Sequence, residues 1–256
     1  MRRRPARTRR RGGGWRRARL PLAAWILPAL VALALVNFAV QVIRKPTELL
    51  GLVVPTSAKG PAETWSEYGP LFREHATEVV TPALLAALVQ VESSGDPLAR
   101  TFWRWRWTSN PFRVWAPASS AVGILQITDG TFAQARHYCI HDHAVARDGA
   151  WLDPRACWFN ALYFRSVPSH AIEMTSAWLD LAVAETLARR RAPPRAADRQ
   201  HLAAVVHLCG RERGAAFAAR GFQVRPRERC GEHDLGAYLA RVGELTAGFA
   251  RMADGG

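Results

Sequence analysis

Apolar positions along the chain form one long uncharged run, followed by short runs with helical spacing. Residues 20–43 carry no charge, and about 20 such residues span a bilayer's hydrocarbon core as a helix. From 44 to 69, Pro46, Pro55, Gly60, Pro61, Gly69 and Pro70 interrupt every pattern, which predicts a linker. Beyond residue 70 the spacing is mostly helical. Leu71, Phe72, His75 and Val79 share one face of a short helix. Thr81 as N-cap and Pro82 at the first helical position start the next, which runs through Leu85, Leu88 and Val89 to Glu92. Another helix is predicted from Thr128 or Asp129 to about Cys139. A long one follows over 169–191, capped by Ser169 and stopped by Pro193-Pro194. The next, over 198–209, buries Leu202, Val205, Val206 and Cys209 and ends at Gly210, and a last helix covers 234–251. Only Phe102 to Trp107 alternates with a period of two, with Trp103, Trp105 and Trp107 on one face and Arg104 and Arg106 on the other. The fold class is mainly α with a small β-ribbon, preceded by an N-terminal transmembrane helix.

Charge sharpens the N-terminal reading. The formal net charge is +14, but residues 1–19 hold ten arginines and no acid, so the other 237 residues carry only +4. A basic segment of that kind is a topology signal that also touches anionic lipid, and nucleic acid is not an expected partner. Ten arginines before the apolar run, against Arg44 and Lys45 after it, predict a cytoplasmic N-terminus and an exported C-terminal domain. A cleaved signal peptide is the rival. Against it, no clear small-x-small site precedes a polar mature start, so an uncleaved anchor is favoured. The chain then divides into a basic segment (1–19), a signal anchor (20–43), a linker (44–69) and a domain (70–256).

Outside the cytosol, Cys139, Cys157, Cys209 and Cys230 read as disulfide partners, with three connectivities open. Proximity favours Cys139–Cys157 and Cys209–Cys230, each closing a loop of about twenty residues worth roughly 3 kcal/mol. A metal site using His137, His141, His143 and His170 is the competing reading, but their spacing matches no standard zinc pattern, and no metal is expected.

Candidate chemistry begins at Glu92. At 100° per residue it falls on the stripe of Leu85, Leu88 and Val89. A carboxylate there is costly unless paired or kept protonated. Thirty-one residues later, Gly123-Ile124-Leu125-Gln126 follows a turn rich in small residues and precedes a helix. Together these segments resemble the lytic transglycosylases of the SLT type, whose fold is related to goose-type lysozyme. Glu92-Ser93 matches the family's Glu-Ser helix end, and Gly123-Ile124-Leu125-Gln126 matches its Gly-Leu-Met-Gln segment. A third motif fits partly at Ala171-Ile172, Thr175 and Trp178-Leu179. A fourth, Ala-Tyr-Asn-Ala-Gly, falls on Val206-His207-Leu208-Cys209-Gly210, so His207 stands where the family has its cleft tyrosine and Leu208 where it has asparagine. The resemblance covers roughly residues 70–220.

The resemblance implies a lysozyme-like domain in the bacterial periplasm, anchored in the inner membrane by a single pass. Its substrate would be peptidoglycan glycan strands, cut at the β-1,4 bond between N-acetylmuramic acid and N-acetylglucosamine without a cofactor. Glu92 would be the acid/base. Ser93 would orient it or contact sugar, Gly123 and Gln126 would shape and bind the groove, Ile124 and Leu125 would line it, and His207 would replace the tyrosine. A raised pKa, from apolar surroundings and a helix C-terminus, would suit Glu92 to protonating a leaving oxygen. Asp96, Asp129 and Asp142 are the nearest candidates for a second carboxylate. One of them about 6.5–9.5 Å from Glu92 would favour an inverting hydrolase. The alternatives are a hydrolytic muramidase on the same scaffold, and a non-catalytic glycan-binding or scaffold protein of an envelope assembly. For the tryptophan segment, packing on the helical core is the favoured reading, and a sugar platform or a membrane-surface contact the alternative.

Overall fold

A helix with no exposed face lies at the centre of the domain. The computed structural model describes residues 23–45, 47, 50, 54, 57–150, 152, 153, 155–188, 190 and 194–255, which contain eight α-helices and three two-stranded antiparallel ribbons. The helices are α1 (Ala23–Arg44), α2 (Pro61–Glu74), α3 (Pro82–Ser93), α4 (Asp129–Ala135), α5 (Pro168–Leu187), α6 (Ala196–Cys209), α7 (Arg211–Ala219) and α8 (Leu235–Asp254). The ribbons pair β1 (Trp103–Trp105) with β2 (Trp115–Pro117), β3 (Tyr138–His141) with β4 (Ala144–Arg147), and β5 (Arg229–Cys230) with β6 (His233–Asp234).

The central helix is α3. Its start follows from the sequence: Thr81 accepts a hydrogen bond from the Leu84 amide at 3.3 Å, and Pro82 occupies the first turn. Every residue from Ala83 to Val89 is buried, against α8 most extensively and also against α2. The apolar stripe expected on one side is therefore the whole cylinder, as in a core helix. Its ends emerge: Pro82 and, at the C-terminal turn, Gln90, Val91, Glu92 and Ser93 are half-buried, and Ser94 closes the helix in the left-handed conformation at φ 52°.

The linker expected over 44–69 is shorter than the sequence implied. Pro61 is the first residue of α2, where a proline costs no hydrogen bond, and Pro70 is tolerated within that helix. Tyr68 and Phe72 are buried in the core, and Trp65 packs 5.8 Å from Phe249 of α8. The helix placed between Thr128 and Cys139 stops at Ala135, and Cys139 lies in the β3–β4 hairpin instead. Asp142 and His143, at φ 48° and 61°, make its two-residue turn, the double positive φ that suits the twist of paired strands. The long helix runs from Pro168 to Leu187, with Val167 rather than Ser169 at its N-cap. The basic segment 1–19, the first residues of the uncharged run 20–43 and residues 191–193 lie outside the described residues. Both favoured disulfides are present, Cys139–Cys157 and Cys209–Cys230.

The tryptophan segment departs most from expectation. It forms β1, but Trp105 is 72% exposed and Trp107 fully so. The ribbon lies against α1, not on the helical core. α1 is itself long and apolar enough over Ala24–Ile43 to cross a membrane.

Candidate active site

The chain brings Glu92, Gln126 and His207 to one cavity of about 670 Å³, together with residues the motifs do not contain. Each wall comes from a different element: the end of α3, the loop before α4, the end of α6, the β5–β6 hairpin and the first turn of α8. Glu92 is the single carboxylate lining it among the described residues. Asp96, Asp129 and Asp142 do not line it. Asp96 is buried and accepts the Leu98 amide at 2.9 Å, Asp129 pairs with Arg165 at 2.8 Å, and Asp142 sits in the β3–β4 turn.

Glu92 has a 17% exposed side chain and two polar neighbours, both on Oε1. The Tyr238 hydroxyl donates to that oxygen at 2.9 Å, and His207 Nε2 lies 3.5 Å from it. Burial raises the Tyr238 pKa well above its ordinary value, and the negative charge of Glu92 adds to that. The phenol therefore remains a proton donor at any physiological pH. Burial lowers the His207 pKa against the opposing pull of Glu92, which leaves the imidazole neutral near pH 7. One carboxyl oxygen is thus held in place, and the other is left for whatever occupies the cavity.

The two segments 31 residues apart in sequence meet through one hydroxyl. Ser93 Oγ lies 2.7 Å from the Ile124 carbonyl and 3.1 Å from that of Val89. Ser93 thus fixes the end of α3 against the loop and does not line the cavity. The loop is closed by a reciprocal Val122–Ile127 backbone pair. Gly123 is required there for a structural reason: at φ +82° a Cβ would collide with the Arg165 carbonyl. The close approach expected from the glycine is to the protein's own backbone. Ile124 and Leu125, expected to line the groove, are fully buried core residues. Both pack into the core, and the turn brings only Gln126, at φ 45°, to the cavity. The Gln126 amide nitrogen donates to the carbonyls of Gly123 at 2.9 Å and Ala99 at 3.2 Å, so its oxygen is the atom left to accept a hydrogen bond.

Two positions were missed by sequence reasoning. Tyr238 sits on the apolar stripe of α8 with Leu235, Leu239, Val242, Leu245 and Phe249, so it reads as an ordinary core residue. The one available signal is its hydroxyl, since a buried tyrosine needs a polar partner. Arg165 donates to the carbonyls of Ser120 at 3.0 Å and Ile127 at 2.9 Å and pairs with Asp129, clamping the loop that carries Gln126. Its partners are mostly backbone atoms, which no motif records. The partly matching third segment is core: Ala171, Ile172, Thr175, Trp178 and Leu179 are all buried in α5.

The Cys209–Cys230 disulfide is part of the cavity wall. It joins the end of α6, which carries His207, to the hairpin leading into α8, which carries Tyr238. Compared with protein-family models and with curated proteins, the sequence matches none of them.

Proposed function

We propose that the cavity is the active site of a peptidoglycan lytic transglycosylase, on a lysozyme-like domain anchored in the inner membrane and exposed to the periplasm. The observation that carries this reading is a lone carboxyl group, oriented through one oxygen by Tyr238, in a cavity of the size that small ligands fill. Hydrolysis of a glycosidic bond ordinarily uses two carboxylates. A transglycosylase needs one, because the substrate supplies its own nucleophile.

The reaction runs in two proton transfers. Glu92, protonated, gives its proton to the bridging oxygen as the bond from the muramic acid anomeric carbon breaks. The substrate's 2-acetamido oxygen stabilises the positive charge left on that carbon. Glu92, now a carboxylate, takes the proton of the C6 hydroxyl while that oxygen bonds to the anomeric carbon and closes an anhydro ring. One C–O bond is exchanged for another, the proton returns to Glu92, and no water is consumed. Positioned acid–base transfer of this kind contributes about 10²–10⁴-fold. Tyr238 and His207 act by fixing Glu92, and Gln126 offers an acceptor to an amide or hydroxyl of the glycan.

Mass analysis of products from purified glycan strands tests the proposal. Anhydro-muramic ends are expected. Reducing ends would assign the cavity to a muramidase that uses water, and intact strands would assign it to a glycan-binding protein.

A further inference from the structure

The tryptophan ribbon has no role in the cavity chemistry, and its position relative to α1 is unusual. Three contacts fasten it to the last two turns of that helix. Asn37 Nδ2 donates to the Trp115 carbonyl at 2.8 Å, Gln41 Nε2 donates to the Phe112 carbonyl at 2.5 Å, and the Phe38 ring stacks 6.1 Å from Trp103. Asn37 and Gln41, four residues apart, are both buried by this contact.

That burial sets the level of the membrane. The apolar span Ala24–Ile43 holds 20 residues, which rise about 30 Å, the thickness of a hydrocarbon core. A bilayer around α1 therefore reaches the level of Asn37 and Gln41. Two amides facing acyl chains would be costly, and the ribbon's carbonyls satisfy them. On the ribbon's own surface at this level, Trp105 and Trp107 are exposed, as is Phe102, and Trp115 packs 5.1 Å from Trp105. The charge matches lipid headgroups too: residues 97–128 contain Arg100, Arg104, Arg106 and Arg113 and no acid.

We infer that the β1–β2 ribbon is a membrane-interface collar. It seats Trp105 and Trp107 at the headgroup–acyl boundary of the outer leaflet around α1 and presents the exposed Arg100 and Arg113 to anionic phospholipid. Tryptophan favours that boundary because its ring is apolar and its N–H is not. The collar also fixes the cavity. Thr101 and Ser119, which flank the ribbon, line the cavity, and Arg104 lies 3.5 Å from Glu232 in the β5–β6 hairpin. The domain is thereby held at one orientation beside the membrane. The inference rests on α1 spanning a bilayer and is independent of what Glu92 does.

The test uses full-length protein in nanodiscs of phosphatidylglycerol and phosphatidylcholine, with and without bromine near the headgroup end of the acyl chains. The emission of wild type minus that of the Trp105→Phe/Trp107→Phe variant isolates the two rings, and phenylalanine preserves most of the apolar surface. Expected is a blue-shifted difference spectrum, most of which is lost in brominated discs and little of which is lost to aqueous acrylamide. Efficient acrylamide quenching with no effect of bromine overturns the collar. So does protection from acrylamide by a chitin oligosaccharide, which would make the ribbon a glycan platform. Protein that alkaline carbonate strips from the discs contradicts the span itself, whereas the catalytic reading stands or falls on glycan products alone.

Discussion

Two glutamates show what separates a fully partnered acid from one that faces a cavity. Glu173, on α5, is buried and has both oxygens occupied: Oε1 accepts the Ile140 amide at 3.0 Å and Oε2 accepts the Tyr163 hydroxyl at 2.6 Å. It ties a hairpin and a loop to a helix, with no lone pair facing a cavity. Glu92 has its polar neighbours on one oxygen and a cavity before it. Position on a helical stripe raised suspicion of Glu92 and passed over Glu173, because sequence shows where a carboxylate sits but not which of its oxygens is spoken for. Tyr238→Phe removes a hydrogen bond to a charged acceptor, worth roughly 1.5–3 kcal/mol. We expect glycan cleavage to fall about tenfold or more, chiefly in kcat, with the melting temperature lowered by several degrees and the fold retained. His207 gives a pH dependence of definite sign. Its folded pKa lies below the unfolded value of about 6.5, so the unfolded chain binds the proton first. The stability it contributes is complete above about pH 6.5 and declines as pH falls through the folded value. His170, also lowered by burial, acts in the same direction. Thermal melts in detergent across pH 5–7.5 (a span set by the imidazole pKa of about 6.5) should show this decline, and His207→Gln should flatten it.

At the scale of elements, start and stop signals were legible where they are local. Thr81-Pro82 opens α3, Gly210 closes α6 at φ +85°, and Asp234 caps α8 by accepting the Ala237 amide at 2.8 Å. What escaped the sequence depends on partners far along the chain. The β3–β4 hairpin turns on Asp142-His143, which lacks the glycine that usually announces such a turn. The tryptophan strand was expected on the core, the usual place for that residue, but its partner is the end of α1. Ile124 and Leu125 carry the family pattern, yet they serve the core, whereas Gln126 serves the cavity. The Cys209–Cys230 bridge belongs to this scale, since it couples the elements bearing His207 and Tyr238. Its loop closure is worth about 3 kcal/mol. Reduction, or Cys209→Ser with Cys230→Ser, should lower the melting temperature and abolish most cleavage while far-ultraviolet circular dichroism below the melt stays native.

For the whole molecule, the sequence supplied the order of parts and the structure their relation. A mainly helical domain with one small ribbon and an apolar N-terminal helix was legible from periodicity, whereas the β3–β4 and β5–β6 hairpins were not. The helix α2, hidden behind Pro61 and Pro70, moves the start of that domain back to about residue 61. The ribbon joins the apolar helix to the cavity wall, so helix and cavity are parts of one assembly. In the proposed reaction Glu92 alone supplies and recovers the proton. Glu92→Gln keeps the shape and an acceptor for Tyr238 while removing the acid. The most direct measurement is release of anhydro-muramic products from glycan strands by wild type and Glu92→Gln at equal folded concentration. Wild type is expected to produce them, and the variant to be slower by about 10²–10⁴-fold. Equal product release by the two proteins would contradict the proposed reaction.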